Sequence, residues 1–221
     1  MPITCKPMVP DMDITGFRMP GIDVSSWQKD IDFKKVAESG CRFVIIRAGY
    51  GKEISQKDAY FEQNYRRAKE AGLYVGTYWY SYADSPENAA REAAVCLEAV
   101  AGKTFDFPVY FDLEEKSQFE RGKEFCNSLV DAFCTAIREA GYVPGLYCST
   151  NKLNEFLSPE VVGRYELWVA HWAEACTYRA NPYGMWQYSS SGSVPGIEGR
   201  VDLDTAYVDY PRLLSHPAGR I

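Results

Sequence analysis

Two kinds of residue pattern alternate along the first two thirds of the chain. Residues 42–48 (RFVIIRA), Tyr74–Tyr80 (YVGTYWY) and residues 109–113 (VYFDL) are nearly continuous apolar runs rich in β-branched and aromatic side chains. Such runs are expected of strands buried on both faces. Between them, residues 58–71, 86–100 and 122–140 interleave apolar and charged positions in the manner of amphipathic helices, and Gly72, Gly102 and Gly141 stand where helices stop. Asp30 or Asp32 can cap a helix over 33–39, and Ser85-Pro86-Glu87 supplies a cap with proline in the first turn. Residues 21–27 and 143–148 add two strands, and residues 151–157 a short helix. Three more strands, over 166–171, 185–188 and 200–206, follow with little that is helical between them.

Eight strands, the first five alternating with helices, point to right-handed βαβ units and a parallel sheet. At 221 residues this suits one α/β domain, a closed TIM-barrel-like barrel of eight strands whose helices are incomplete in the last third. The domain is expected over 21–210, behind an irregular leader at 1–20 and before a short tail at 211–221.

In such barrels the site forms at the C-terminal ends of the strands. Residues 108–115 (PVYFDLEE) are the most pointed case: a short buried strand runs out into acid, with Asp112 and Glu114 two positions apart. Alternate side chains of an extended strand share a face, so both carboxyls project the same way. Acids at strand ends are common as solvated loop starts, and this triplet alone decides little. The barrel adds Asp23 from the first strand and Asp202 from the last, so that four carboxylates converge on one mouth. Crowding and partial burial can hold one such carboxyl protonated while another stays ionised, the requirement of general acid/base chemistry.

Composition narrows the chemistry. A net charge of −6 and the lack of any basic run argue against nucleic acid as a partner. No window of eighteen apolar residues is present, so no membrane span is expected, and residues 1–20 have no apolar core of a signal peptide. The two histidines, His171 and His216, form no H-E-x-x-H, and there is no G-x-S-x-G elbow or Walker loop. The seven cysteines are dispersed without a C-x-x-C, and Cys41, Cys96, Cys126 and Cys134 read as small core hydrophobes. Aromatics make up 14% of the chain, enough to line a cleft as well as a core. Carboxylates without a histidine base, beside flat apolar rings, fit glycoside hydrolysis. Two rivals use the same acids: a hydrolase holding Mg²⁺ or Ca²⁺ through oxygen ligands, and a glycan-binding barrel without catalysis.

Four segments then resemble one family. GIDVSSWQ at 21–28, PVYFDLEE at 108–115, ELWVAHW at 166–172 and MWQYSSSGSVPGIEGRVDLD at 185–204 are similar, in order, to the family 25 glycoside hydrolases, the Chalaropsis-type lysozymes or N-acetylmuramidases. The resemblance implies a flattened barrel and cleavage, with net retention, of the β-1,4 bond between N-acetylmuramic acid and N-acetylglucosamine in peptidoglycan. It implies no cofactor and no metal. It puts the catalytic acid on Glu114, its companion on Asp112 as partner of the substrate N-acetyl group or as nucleophile, and supporting acids on Asp23 and Asp202. Tyr80, Tyr110, Tyr147, Trp168, Trp186 and Gln187 are the candidate sugar-contacting residues, each with barrel core as its alternative. A monomer working on peptidoglycan glycan strands at the cell wall is expected, as an endolysin or autolysin.

Overall fold

The computed structural model describes residues 16–215. The apolar runs become strands: β1 (Met19–Val24), β2 (Phe43–Tyr50), β3 (Tyr74–Tyr80), β4 (Val109–Asp112), β5 (Pro144–Ser149), β6 (Glu166–Ala170), β7 (Met185–Gly192) and β8 (Val201–Ala206). The helices are α1 (Phe33–Glu38), α2 (Phe61–Glu70), α3 (Pro86–Ala99), α4 (Lys116–Phe119), α5 (Lys123–Glu139), α6 (Thr150–Phe156), α7 (Pro159–Val162) and α8 (Tyr210–Ser215). Asp32 caps α1 through the backbone N–H of Lys35, and Ser85 caps α3 through that of Asn88, with Pro86 in its first turn. Gly72, Gly102 and Gly141, just past α2, α3 and α5, adopt positive φ, which lets each chain reverse out of its helix.

The strands close a barrel in sequence order. Every neighbouring pair from β1 to β7 is parallel, but β8 is antiparallel to both β7 and β1. The expectation of a parallel sheet therefore holds for seven strands and fails at the eighth. The physical reason is the connection. β7 and β8 are joined by a short polar loop, which suffices for a hairpin but not for the crossover that a parallel pair requires. The first strand begins at Met19, two residues before the expected start, because Met19 and Pro20 already pair with Ala206 and Thr205 of β8.

Two apolar layers follow from the strand alternation. Outward residues such as Ile22, Val24, Val44, Ile46, Val109 and Phe111 pack against α1 to α6 in the larger core. Inward residues Phe43, Ile45, Tyr110, Trp168, Met185 and Ala206 fill the lower barrel. α8 contributes to the seal at the bottom: Tyr210 is buried and its hydroxyl donates to Glu166 Oε2 at 2.8 Å. Three helices escaped the sequence pattern. α4 and α7 have four residues each, too short to show a period, and α8 begins where the tail was expected. The signal for α7 was nonetheless present, since Ser158-Pro159-Glu160 repeats the opening of α3.

Cys96, Cys126, Cys134, Cys148 and Cys176 are buried free thiols, while Cys41 is only partly covered and packs at the edge of the core. Among the described residues no helix is long and apolar enough to cross a membrane.

The barrel interior is tight where a glycine faces an aromatic ring. A Cβ at Gly145 would fall inside the van der Waals envelope of the Tyr110 ring, and it would lie 3.2 Å from the Glu166 carbonyl oxygen. Gly145→Ala should therefore lower stability by about 1–3 kcal/mol through overpacking. Urea unfolding measures this, and a midpoint equal to that of the unsubstituted protein would contradict the packing described.

Candidate active site

The upper layer of the barrel interior is polar. Asp23 is the inward residue near the end of β1, Arg47 that of β2, Tyr78 and Tyr80 those of β3, and Asp112 that of β4. Beyond β4 the chain stays extended for one more pairing, Leu113 N–H donating to Tyr147 O at 3.1 Å, so Glu114 emerges on the same side as Asp112. β8 runs the other way, and it is its first turn, not its C-terminal end, that reaches this mouth. Asp202 thereby stands directly across from Asp23 in the antiparallel register. Asp23, Asp112, Glu114 and Asp202 all line one cleft of about 350 Å³, together with Trp27, Arg47, Tyr80 and Arg200. A larger groove of about 610 Å³ between α1, α2 and the β7–β8 loop holds only ordinary surface charges and no convergent inward acids, so the smaller cleft is where the chemistry collects.

Burial and mutual repulsion raise the carboxyls of this cleft. Asp112 is enclosed and held well above the usual carboxylate range, first by burial and then by the Glu114 charge, with Arg47 opposing. Glu114 is open to solvent on one side, yet the cleft walls surround it on the others. That enclosure raises it, with the charges of Asp202 and Glu115 adding to the effect. Asp202 is raised by burial, and a bond from Asp23 works against the shift. Arg47 is fixed by residues that follow β1 and β2: Nε donates to Asp58 Oδ2 at 2.9 Å and Nη2 to Ser26 Oγ at 2.9 Å. Asp58 is itself pinned by the N–H groups of Ser26 and Tyr60.

A second network underlies the acids. Gln187 Oε1 accepts from the Tyr147 hydroxyl at 2.9 Å and from Trp172 Nε1 at 3.0 Å, so its amide is oriented to donate, and Nε2 reaches Asp23 Oδ2 at 2.7 Å. One layer lower, Trp168 Nε1 donates to Asp204 Oδ1 at 2.8 Å.

Of the six candidate sugar-contacting residues, Tyr80 lines the cleft. Tyr147 and Gln187 lie buried in its floor. Tyr110 and Trp168 do not reach it. They are inward but deep, packed edge to face at 5.3 Å with no exposed surface to offer a sugar. Trp186 faces the other way, alternating with inward Met185 and Gln187. It sits in an outer depression beside Arg18, Tyr188 and Tyr207, and its indole N–H donates to His171 O. The position of these three in strands was legible; which layer of the barrel each occupies was not. The exposed rings were missed: Trp27 is 81% exposed, Trp172 62% and Tyr82 53%. Trp27 lines the cleft and Tyr82 packs against Tyr80 at 4.9 Å between ring centres. Their signal was available, since each follows closely on a strand end. Asp204 was also missed as a site residue, although the D-x-D of 202–204 repeats the spacing of 112–114. His171 accepts the Thr177 N–H and orders its loop, and His216 lies outside the described residues. Among the described residues no group of three or more His, Cys, Asp or Glu side chains is arranged to hold a metal ion.

Comparison with known proteins places this geometry. The model of the glycosyl hydrolases family 25 matches residues 22–197. The chain is 32% identical over 201 residues to the uncharacterized protein YegX of Escherichia coli K12, covering 85% of this chain and 69% of that one. It is 32% identical over 186 residues to the autolytic lysozyme of Clostridium acetobutylicum, covering 84% of this chain and 55% of the relative. Among solved structures, the CTP1L endolysin superposes with a TM-score of 0.76 at 25% identity, covering 92% of this chain and 71% of that one.

The Gln187 network makes a separate statement about the cleft. Gln187→Leu leaves the Tyr147 hydroxyl without a partner, removes the amide donor from Asp23 Oδ2 and frees the exposed Trp172 indole. The expected result is a loss of about 1–3 kcal/mol in thermal unfolding and a red shift of tryptophan emission. An unshifted spectrum at unchanged stability would mean that these bonds do not form.

Proposed function

The chain belongs to glycosyl hydrolase family 25, and from that premise we propose that it is an endo-N-acetylmuramidase. Its substrate is the β-1,4 bond between N-acetylmuramic acid and N-acetylglucosamine in bacterial peptidoglycan. The observation that carries this reading is the pairing of Glu114 and Asp112 in an acid-crowded cleft edged by exposed aromatic rings. Glycoside hydrolysis needs a carboxyl that is still protonated at working pH beside a second group that stabilises positive charge at the anomeric carbon. Glu114 suits the first task because enclosure and the neighbouring acids hold its proton, while its open side leaves the carboxyl reachable. Asp112 suits the second. It is fixed in the last position of a strand, where the Arg47 charge opposes the burial and the Glu114 charge that hold it above the usual carboxylate range.

In this reading Glu114 protonates the departing oxygen and then, as carboxylate, takes a proton from the incoming water. Asp112 either orients the substrate N-acetyl group, whose oxygen attacks the anomeric carbon, or attacks directly. Both routes are double displacements, so both retain the anomeric configuration. Asp202 sustains the proton on Glu114, Asp23 and Asp202 contact the sugar, and Trp27, Tyr80 and Tyr82 offer ring faces for stacking. The protein acts on glycan strands at the cell wall, as a monomer.

Digestion of purified peptidoglycan followed by mass analysis of the new reducing ends tests the substrate bond. Muramic acid at those ends is expected, whereas glucosamine ends or released peptide would refute it. In the same assay Glu114→Gln should cost roughly 10²–10⁴-fold in rate with the fold intact. A folded variant that still clears the wall at the original rate would remove Glu114 from the role of acid.

The pH dependence follows from the raised Glu114. Its carboxyl must be protonated to act as the acid, so activity is present below its folded-state pKa and is lost as pH rises through it. Asp202 is one of the charges holding that value up. Asp202→Asn should therefore move the alkaline limb of the kcat/KM profile toward lower pH. A limb that stays in place or moves upward would show that Asp202 does not act on the acid.

A further inference from the structure

Beneath the cleft lies a buried carboxyl that the proposed reaction does not use. Asp204 is completely buried on the inner face of β8, one layer below Asp202. Trp168 Nε1 occupies its Oδ1 at 2.8 Å, and its Oδ2 is buried without any donor. Its register partner across the seam is Gly21, and Asp23, two positions further along β1, is in side-chain hydrogen-bonding contact with it. Asp23 is also buried, and its one donor is Gln187 Nε2 on Oδ2. Two carboxylates can approach in this way only if one of them supplies the hydrogen.

The groups facing Asp204 offer no compensating charge. Asp23 comes from β1, Asp202 from β8 itself, the neutral indole of Trp168 from β6, the neutral amide of Gln187 from β7, directly opposite in register, and Tyr110 from β4. None of these is a cation. Adjacent buried acids without a counter-ion do not both ionise near neutrality.

We propose that Asp204 is a positioning residue that shares a single proton with Asp23, locking the Asp23 carboxyl under the cleft and keeping the pair at one negative charge. The proposal rests on the cleft being the catalytic site only in its consequence for activity; the shared proton is a property of the folded chain. Burial pushes Asp204 up to about 8, against the bonds from Asp23 and Trp168, and Asp23 is likewise held well above the usual range. The proton belongs to the pair rather than to either residue. The geometry also predicts the tolerated substitution. An asparagine at 204 would turn its oxygen to Trp168 and its amide to Asp23, replacing the shared proton with a permanent donor while the pair keeps one negative charge.

The test uses the full chain with ¹³C-carboxyl-labelled aspartate, Asp23 and Asp204 being assigned from the spectra of their Asn variants. In the unsubstituted protein the two carboxyls should respond together, with a last ionisation above neutral pH. In Asp204→Asn the Asp23 signal should be that of a carboxylate through neutral pH, its midpoint lowered by about two units or more. Two fully ionised carboxyls in the unsubstituted protein at pH 6, or an Asp23 titration untouched by the substitution, would overturn the proposal. Peptidoglycan hydrolysis supplies the second arm. Asp204→Asn should keep most of kcat with KM unchanged, and Asp204→Ala should lose on the order of 10- to 100-fold in kcat through a misplaced Asp23. If Asn is as damaging as Ala, the shared proton does not position Asp23. If the unsubstituted chain hydrolyses no peptidoglycan, the functional reading falls, and the titration still decides the proton.

Discussion

The antiparallel hydrogen bonding of β8 against β1 is the constraint on which the site depends. It closes the barrel, and it also fixes which residue of β8 faces which residue of β1. Asp202 stands opposite Asp23 and Asp204 opposite Gly21. Because side chains alternate along a strand, Asp202 and Asp204 both point inward, and the absence of a side chain at Gly21 admits the Phe43 ring at that level. Had β8 run parallel, its first residues would lie at the bottom of the barrel beside Tyr210 and Glu166, and Asp202 would be far from Glu114. One short hairpin loop thus decides that the last strand contributes its start to a mouth otherwise built from strand ends.

The electrostatic cost of this arrangement is contained by placement. The acids are gathered in the upper layers, while the lower barrel is filled by Phe43, Tyr110, Met185 and Tyr210. Arg47 reaches the cleft from β2, but it is tied to Asp58 and Ser26, so it offsets the acids without bridging across the opening. The remaining strain appears as raised carboxyls, Asp112 and Asp23 most of all, and Glu114 less because one side is open. Stability given up in this way is common at sites that must hold a proton ready. The donors from Trp168 and Gln187 limit the loss by satisfying carboxylate oxygens that water does not reach, and Tyr147 holds the Gln187 amide in place.

The aromatic residues divide by depth in the barrel. Tyr110 and Trp168 pack the interior, Tyr147 serves as a hydrogen-bond donor in the floor, and Trp27, Tyr82 and Trp172 stand exposed near the strand ends. The same residue types thus serve as filler, as polar anchor and as stacking surface, and the difference is set by strand register rather than by residue identity. The exposed rings offer flat apolar faces to solvent near the strand ends.

Most of the fold could be read from the chain itself. The apolar runs of β2, β3 and β4, the capped helices α1 and α3 and the glycine stops reflect local preferences that need no partner to be recognised. The alternation of strand and helix implied a barrel, and the D-x-E after a buried strand placed two carboxyls on one face. Tertiary structure decided what depends on register between distant segments. It reversed β8, moved Tyr110 and Trp168 below the cleft, turned Trp186 outward, and set Asp204 against Asp23. A strand's sequence tells which residues share a face, but the face that meets the cleft, and the depth at which each residue sits, follow from hydrogen bonds to neighbouring strands, well over a hundred positions away in the case of Asp23 and Asp202.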